Sequence, residues 1–153
     1  MKFEKTVRVN ATPAEIWTLV DEIEVIAGLI PGMGSYSPLG PQEFDSLLTQ
    51  HVGPVRAKFQ LNTKLTDLDF EKSVTAVSEG RDKHMASSVI AQQRFDLTPA
   101  GDGTDISISA DIRVTGKLAT FGSRIVLSKA EQVVAETIAN VSKLLEDRRH
   151  SRT

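Results

Sequence analysis

The sequence predicts an α+β fold in which a curved antiparallel sheet of six or seven strands wraps around one long C-terminal helix. Apolar residues recur at helical spacing from about Lys117 to Arg148, which indicates a long amphipathic helix. Residues 55–68 and 104–114 alternate strictly between apolar and polar side chains, as strands do when one face is buried. A sheet with one apolar face and a single long helix bury these surfaces against each other in segregated layers.

The first thirty residues are predicted to form one strand and two short helices. Residues 3–9 alternate with the period of a half-buried strand. Thr12 suits a helix N-cap and Pro13 suits the first helical position, so a short helix follows. A second short helix covers about residues 23–29 and ends before Pro31, because proline disfavours the helical conformation in the residue that precedes it.

The middle of the chain is predicted to form an antiparallel meander, because turn residues interrupt the apolar segments at regular intervals. The interruptions are Gly40-Pro41, Gly53-Pro54, Asp69 to Lys72, Gly80 to Lys83 and Pro99 to Gly103. Residues 74–79 and 87–97 are weaker strands than the two named above. In the second of them, the alternation places Gln93 on the inward face with Val89.

The long helix is predicted from a broad apolar stripe and an opposite polar face. The stripe contains Leu118, Phe121, Ile125, Ala130, Val133, Val134, Thr137, Ile138, Val141, Leu144 and Leu145. The polar face contains Lys129, Glu131, Glu136, Asn140, Lys143 and Asp147. Ser128 followed by Glu131 is typical of a capping box, so a helix start or kink near Ser128 remains an alternative.

Length and composition limit the classes of function that the chain can have. The chain of 153 residues fits a single domain covering 1–153, and its net charge of −2 gives no overall field that would attract nucleic acid. It has no cysteine, which excludes disulfides and thiolate sites and is consistent with a reducing cytoplasm. The start MKFEKTVRVN lacks the apolar run of a secretory signal, and no stretch reaches the ~20 apolar residues of a membrane span. We therefore expect a cytoplasmic protein that contacts a membrane only peripherally, at its inner face.

The predicted inward positions carry many small residues, such as Ala57, Ala91 and Ala130. Interiors pack to a density of about 0.75, so small residues on both layers imply either close approach of the layers or an apolar cavity, and the sequence leaves both open. An inward Gln93 would hydrogen-bond a carbonyl head group in such a cavity. The residues expected to line the cavity are Phe59, Leu61, Ile108, Phe121, Ile125 and Ile138, with a mouth formed by Trp17, Ile26, Leu29, Ile30, Pro31 and Gly32.

Residues for catalysis or metal binding form no recognisable pattern. His51, His84 and His150 are far apart in the sequence, and no carboxylate lies at metal-ligand spacing from any of them. The inward faces carry no carboxylate for acid–base work, and no nucleophile elbow or phosphate loop occurs. The sequence therefore predicts a non-catalytic protein with no metal site and no covalently bound cofactor.

Basic residues gather at the end of the long helix. They are Lys143, Arg148, Arg149, His150 and Arg152. Cations at a helix C-terminus complement the helix dipole, which is the structural interpretation. The functional interpretation is attraction to anionic lipid at about 1 kcal/mol per basic residue, which fits transient contact better than stable anchoring.

Three stretches carry a resemblance to a known family. The first is Leu29-Ile30-Pro31-Gly32, the second is His51-Val52-Gly53-Pro54-Val55-Arg56-Ala57-Lys58-Phe59 with its continuation Leu65-Thr66-Asp67-Leu68-Asp69, and the third runs from Gly103-Thr104-Asp105 through Val114-Thr115-Gly116-Lys117-Leu118-Ala119 to Phe121-Gly122-Ser123-Arg124. In order and spacing they resemble the CoxG family of carbon monoxide dehydrogenase subunits, within the START-like (SRPBCC) ligand-binding superfamily and its helix-grip fold.

The resemblance implies an accessory protein of molybdenum-containing carbon monoxide dehydrogenases and related hydroxylases. Such a protein recruits the enzyme to the membrane, and the lipophilic cavity of the fold suggests that it carries an isoprenoid quinone or similar lipid. Longer members continue into a tail that binds membrane, whereas this sequence stops at Thr153, which weakens the membrane part of the expectation. Two alternatives remain: a cyclase or hydrolase acting on a small hydrophobic substrate, and an assembly factor for the dehydrogenase.

Overall fold

The computed structural model describes residues 1–151, and within them the chain forms seven strands and three α-helices. The strands are β1 (Lys2–Val9), β2 (Met33–Gly40), β3 (Glu43–Val52), β4 (Val55–Asp69), β5 (Ser73–Asp82), β6 (Ser87–Ala100) and β7 (Gly103–Thr115). The helices are α1 (Pro13–Trp17), α2 (Ile23–Leu29) and α3 (Ser123–Ser151), with 3-10 segments at Thr18–Asp21 and Lys117–Phe121. All strand pairs are antiparallel, in the spatial order β1-β7-β6-β5-β4-β3-β2. This is the helix-grip arrangement that the sequence predicts.

Alternation along the strands decides which face of the sheet is buried. On β4 the buried side chains are Ala57, Phe59, Leu61 and Thr63, and on β7 they are Thr104, Ile106, Ile108, Ala110 and Ile112. The intervening residues of both strands are mostly exposed. Burying one Leu, Ile or Phe side chain stabilises a fold by about 1.5–3 kcal/mol, so this face and the apolar side of α3 supply most of the favourable energy of folding.

The helix α3 begins at Ser123 rather than at Lys117, which corrects the boundary drawn from the sequence. Gly122 has a φ of +88°, outside the helical region, and interrupts the path between the 3-10 segment and α3. The 3-10 segment is held separately, since the Ser87 hydroxyl accepts a hydrogen bond from the Leu118 N–H at 3.0 Å. The alternative start at Ser128 is also wrong, because Ser128 lies inside α3.

Strand β5 extends to Asp82, although turn residues at 80–83 led the sequence to predict its end at Glu79. Residues 80–81 pair with β4 on one side and with β6 on the other, and these two ladders keep the chain extended. Tertiary pairing therefore overrides the local turn signal.

The carboxylate of Asp82 closes the turn that follows β5. It is 3% exposed and accepts hydrogen bonds from the backbone N–H groups of Lys58 at 2.7 Å, His84 at 2.9 Å and Met85 at 3.1 Å. Burial alone raises the pKa of Asp82, but the three backbone donors outweigh it and hold the pKa below the ordinary value. Asp82 is thus a structural anion that joins β4 to the turn after β5.

Charged contacts fasten the end of α3 to the first helices. Thr12 caps α1 as the sequence predicts, and together with Glu15 it forms a capping box with hydrogen bonds of 3.0 and 3.1 Å. Arg149 donates to the same Glu15 carboxylate at 2.8 Å, and Arg148 donates to Glu22 at 2.8 Å. The backbone N–H of Thr12, followed by the guanidinium of Arg149, holds the pKa of Glu15 below its ordinary value. Two of the basic residues that were candidates for lipid contact are therefore bound within the protein.

Candidate functional site: an apolar cavity under the long helix

A cavity of about 350 Å³ lies between the inner face of the sheet and α3. The sheet contributes side chains from β3 to β7, α3 contributes the residues from Val126 to Val141 that face the sheet, and α1, α2 and the 3-10 segment between them close one end. Ligand pockets measure roughly 300–1,000 Å³, so the cavity is large enough to hold a small organic molecule. The small inward residues left open whether the layers approach closely or enclose a cavity. The structure contains a cavity, and Ala76, Ala91 and Ala130 are part of its wall.

Seven of the thirteen residues expected at the cavity lie in its wall. They are Trp17, Ile26, Ile30, Phe59, Leu61, Gln93 and Ile138. The three strand residues among them face the interior because the period of a strand is two, and the structure keeps the predicted phase of β4 and β6. Their contact with a ligand stays a prediction.

The other expected residues are not part of the wall, for two physical reasons. Ile108 is 1% exposed and lies in the same core cluster as Phe3 and Leu145, where the layers pack directly. Phe121 and Ile125 lie beside Gly53 of the β3–β4 turn, and Ile125 is 39% exposed. Both were expected on one continuous helix, whereas Phe121 ends the 3-10 segment and Ile125 lies in the first turn of α3, on either side of the break at Gly122.

Leu29, Pro31 and Gly32, which also lie outside the wall, form the corner between α2 and β2. The side-chain amide of Gln50 donates to the Pro31 carbonyl at 2.6 Å, and the Asn140 amide on α3 donates to the Leu29 carbonyl at 2.8 Å. The corner, which was expected to form the cavity mouth, is therefore tied to both β3 and α3.

Glycine is required at position 32 of this corner. Its φ is +80°, and its carbonyl accepts a hydrogen bond from the Thr49 N–H at 2.9 Å. A Cβ at this position would lie 2.1 Å from the Thr49 carbonyl oxygen, which is far inside van der Waals contact. Only glycine permits both the backbone conformation and this approach of α2 to β3.

A short polar stripe crosses the otherwise apolar sheet wall. The hydroxyls of Thr63 on β4 and Ser78 on β5 are 2.8 Å apart and hydrogen-bonded to each other. Gln93 follows on β6, diagonally across the ladder in which Ser78 faces Ala91. No described residue pairs with the side-chain amide of Gln93, so its N–H and C=O groups are available to a ligand.

Lys129 and Gln50 are two polar residues of the wall that were not expected there from the sequence. Lys129 was assigned to the polar face of the helix, but it is half-buried and lies in the wall beside Ala130 and Val133. A lysine stem can cover apolar surface while its ammonium reaches water, which a helical projection does not show. Gln50 could have been found from the alternation of β3, because it lies two residues from Val52 on the same face.

Lys129 and Gln50 mark the stretch of the cavity wall where α3 passes β3. Along α3, Ile125 lies beside Gly53 at the end of β3, and Asn140 lies on the end of α2. Between these two contacts α3 passes the inner end of β3, where Gln50 and Lys129 form part of the wall. We refer to this stretch of the wall, bounded by α3, β3 and the α2–β2 corner, as the portal.

The described cavity wall includes no Asp, Glu or His, and Lys129 is the one titratable side chain in it. The carboxyl groups with lowered pKa, Asp82 and Glu15, are structural anions outside the wall. Within residues 1–151 no cluster of three or more His, Cys, Asp or Glu side chains is arranged to hold a metal ion. The same residues include no helix of the length and hydropathy needed to cross a membrane.

The basic residues at the end of α3 offer less free charge than the sequence indicates. Arg148 and Arg149 are in ion pairs, Lys143 is exposed, and Arg152 lies outside the described residues.

Comparison with solved structures shows the same fold in proteins of diverse sequence. A conserved protein from Geobacillus kaustophilus is similar with a TM-score of 0.87 and 19% identity, covering 96% of this chain and 96% of that chain. The Zhui aromatase/cyclase from Streptomyces sp. R1128 is similar with a TM-score of 0.67 and 13% identity, over 97% and 94% of the two chains. Norcoclaurine synthase from Thalictrum flavum is similar with a TM-score of 0.67 and 16% identity, over 95% and 92%. At these identities the likeness shows the fold alone.

Sequence comparison identifies the family. A search of curated proteins found no significant match. The model of the CoxG family of carbon monoxide dehydrogenase subunits matches residues 6–146, which include all of β2 to β7, the portal and the cavity wall. The resemblance found in the three sequence stretches is thus confirmed, and this chain belongs to the CoxG family of carbon monoxide dehydrogenase subunits.

Proposed function

We propose that this protein is a non-catalytic carrier that binds an isoprenoid quinone, or a lipid of similar chemistry, in the cavity under α3. It would exchange this ligand with a molybdenum carbon monoxide dehydrogenase-type enzyme and so link that enzyme to the membrane. The observation that carries the proposal is an apolar cavity of about 350 Å³ with an unpaired amide in its wall. The family supplies the dehydrogenase as the partner.

The polar stripe suits a ring that carries carbonyl oxygens. The Gln93 amide can donate to one oxygen, and the Thr63–Ser78 pair retains one hydroxyl hydrogen that can be donated to a second. A buried carbonyl needs a donor, whereas a pure hydrocarbon would leave Gln93 without a partner. A long isoprenoid chain exceeds the cavity, so we place the ring at the stripe and the end of the chain in the portal.

The membrane link is proposed as brief contact rather than anchoring. With Arg148 and Arg149 held in ion pairs, few cations of the helix end remain for anionic lipid. Each exposed cation contributes about 1 kcal/mol near such a surface. A weak, reversible contact is what a carrier needs in order to collect its ligand and leave.

The test uses Trp17, the one tryptophan of the chain, which lies in the cavity wall. A short-chain quinone that enters the cavity is expected to quench its fluorescence. Gln93→Leu should weaken quinone binding about tenfold, since a hydrogen bond contributes roughly 0.5–1.5 kcal/mol and 1.4 kcal/mol is a factor of ten. Gln92→Leu is the matched control, because Gln92 is exposed on the opposite face of the same strand.

Two results would contradict the carrier. One is saturable quinone binding that neither Gln93→Leu nor a cavity-filling substitution changes. The other is a protein purified from its own host that contains no lipid by native mass spectrometry and takes up no quinone from liposomes. Either result would favour an assembly factor that acts through its outer surface.

Lys129 favours a second candidate, an enzyme acting on a small hydrophobic carbonyl compound. A lysine at the edge of an apolar cavity is able to serve as a nucleophile or base when its amine is neutral. Borohydride treatment in the presence of an aldehyde substrate would trap the adduct on Lys129. A wild-type protein that is trapped selectively at Lys129, and a Lys129→Met variant that is not, would support the enzyme. Carrier function needs only the apolar stem, so quinone binding should survive Lys129→Met.

A further inference from the structure

The end of β4 and the turn that follows it combine exposed apolar and acidic side chains. Residues 67–71 have the sequence Asp-Leu-Asp-Phe-Glu, and we refer to them as the acidic tip. Within it, Leu68 is 39% exposed and Phe70 is 69% exposed. An aromatic ring held so far out of the core suits an interface, where aromatic residues act as anchors.

The backbone of the tip is irregular. The ladder between β4 and β5 shifts register between Thr66 and Asp69, and the N–H of Lys72 closes the turn by donating to the Asp69 carbonyl at 2.8 Å. Asp67 and Glu71 both have positive φ, 50° and 59°. Irregularities of this kind redirect side chains at the end of a hairpin, and here they bring Phe70 towards α1.

Phe70 is connected to the cavity through one residue. Its ring meets the ring of Trp17 edge-on, with centroids 5.9 Å apart and an interplanar angle of 73°. Trp17 is 8% exposed and forms part of the cavity wall. A partner that binds Phe70 therefore contacts a ring that itself packs against a residue of the cavity wall.

The charge of the tip selects the kind of partner. None of the three tip carboxylates forms an ion pair with a described residue. The neighbouring Arg94 is bound by Asp96 at 3.1 Å and interacts only at longer range with Asp67 and Asp69. An anionic lipid surface would repel three carboxylates around the apolar ring. A protein with basic residues around an apolar pocket would attract them and receive Phe70.

We propose that the acidic tip is the docking site for a protein partner that presents an apolar pocket rimmed by lysine or arginine. The inference rests on the proposed function, in which the partner is the dehydrogenase. One aromatic anchor buries about 150–250 Å² of its own surface, which is small for an interface, so docking is weak and transient. Binding at Phe70 changes the environment of Trp17 and thereby connects docking to the cavity.

The experiment measures binding of the quinone-loaded full chain to purified carbon monoxide dehydrogenase from the same organism. Phe70→Ser should weaken binding at least tenfold. The double variant Asp67→Asn/Glu71→Gln keeps the ring and should weaken binding severalfold while reducing its salt dependence. The matched controls, Ile90→Ser and Glu131→Gln, change exposed residues of the same types elsewhere and should bind like the wild type.

Quinone quenching of Trp17 is measured on every variant, so a loss of folding or of the cavity is recognised separately. Tip variants that carry quinone normally and bind the dehydrogenase like the wild type would overturn the docking inference alone. A wild-type chain that does not bind the dehydrogenase, or one that binds phosphatidylglycerol vesicles through Phe70, would also overturn it. A chain that binds no quinone but docks through the tip would support docking and refute the carrier.

Discussion

Substitution of Ala91 by leucine tests whether the space under α3 is a true cavity. Ala91 lies in the cavity wall on β6, where Ser78 and Ile112 face it on the neighbouring strands. The new side chain adds three carbon atoms directed into the space. In a cavity these atoms become buried without displacing a neighbour, whereas in a close-packed core they would force neighbours apart.

The expected change in the free energy of unfolding differs between a cavity and a close-packed core. Three buried carbon atoms at about 0.8 kcal/mol each give about 2.4 kcal/mol, and ordering the leucine side chain costs about 0.5–1 kcal/mol. We therefore expect the free energy of unfolding to rise by about 1.5–2 kcal/mol, which raises the Tm by roughly 3–8 °C for a chain of this size. In a close-packed core the same substitution would lower the free energy of unfolding by about 1–3 kcal/mol.

Ligand binding should change in the opposite direction. The leucine occupies space that a quinone ring would use, so affinity should fall tenfold or more. Urea unfolding followed by Trp17 fluorescence gives the stability, and quenching of the same residue by a short-chain quinone gives the affinity. Ala139→Leu is the control, because Ala139 is exposed on the outer side of α3, and it should leave both quantities nearly unchanged. A destabilised Ala91→Leu protein with unchanged quinone affinity would refute the cavity reasoning.

Further substitutions test the supports of the site. Gly32→Ala should lower the free energy of unfolding by about 2–3 kcal/mol or more, because the new Cβ clashes with the Thr49 carbonyl and position 32 has a positive φ. An unchanged midpoint of urea unfolding would contradict the corner geometry. Asp82→Asn should cost about 1–3 kcal/mol, because at least one buried backbone donor loses its acceptor. Folding lowers the pKa of Asp82, so the ionised carboxylate stabilises the fold fully above its unfolded pKa of about 3.9, and this stabilisation is lost as the pH falls through the lower folded value. The Tm should therefore fall less steeply between pH 6 and pH 2 in Asp82→Asn than in the wild type. Arg149→Met should cost less than about 1 kcal/mol, because its ion pair with Glu15 is partly exposed, and a larger loss in thermal unfolding would mean that the end of α3 holds the fold together more strongly than its contacts indicate.

Much of the fold was predictable because its elements have strong local periods. The strict alternation of residues 55–68 and 104–114 identified β4, β7 and their buried faces, and Thr12 and Pro13 identified the start of α1. Boundaries were less predictable. The end of β5 depends on pairing with two neighbouring strands, and turn residues in the sequence carry no information about those partners.

The cavity wall was predictable on the sheet and less so on the helix. Phe59, Leu61 and Gln93 lie in the wall because alternation along a strand fixes the face of each residue. Ile108 follows the same alternation but is packed in the core. Whether an inward strand residue lines the cavity or packs in the core depends on the path of the helix above it. Lys129 was missed for a related reason, since its stem follows an apolar surface that exists only in the folded chain.

The joining of the first and last elements has a consequence for synthesis. β1 pairs with β7, and Arg149 near the end of α3 reaches Glu15 in α1. The apolar face of the sheet therefore stays uncovered until α3 has been made, and its 29 residues take roughly 1.5–6 s at about 5–20 residues per second. During that interval the nascent chain exposes the same apolar surface that later lines the cavity. A chaperone that binds this surface on the ribosome would compete with α3 for it.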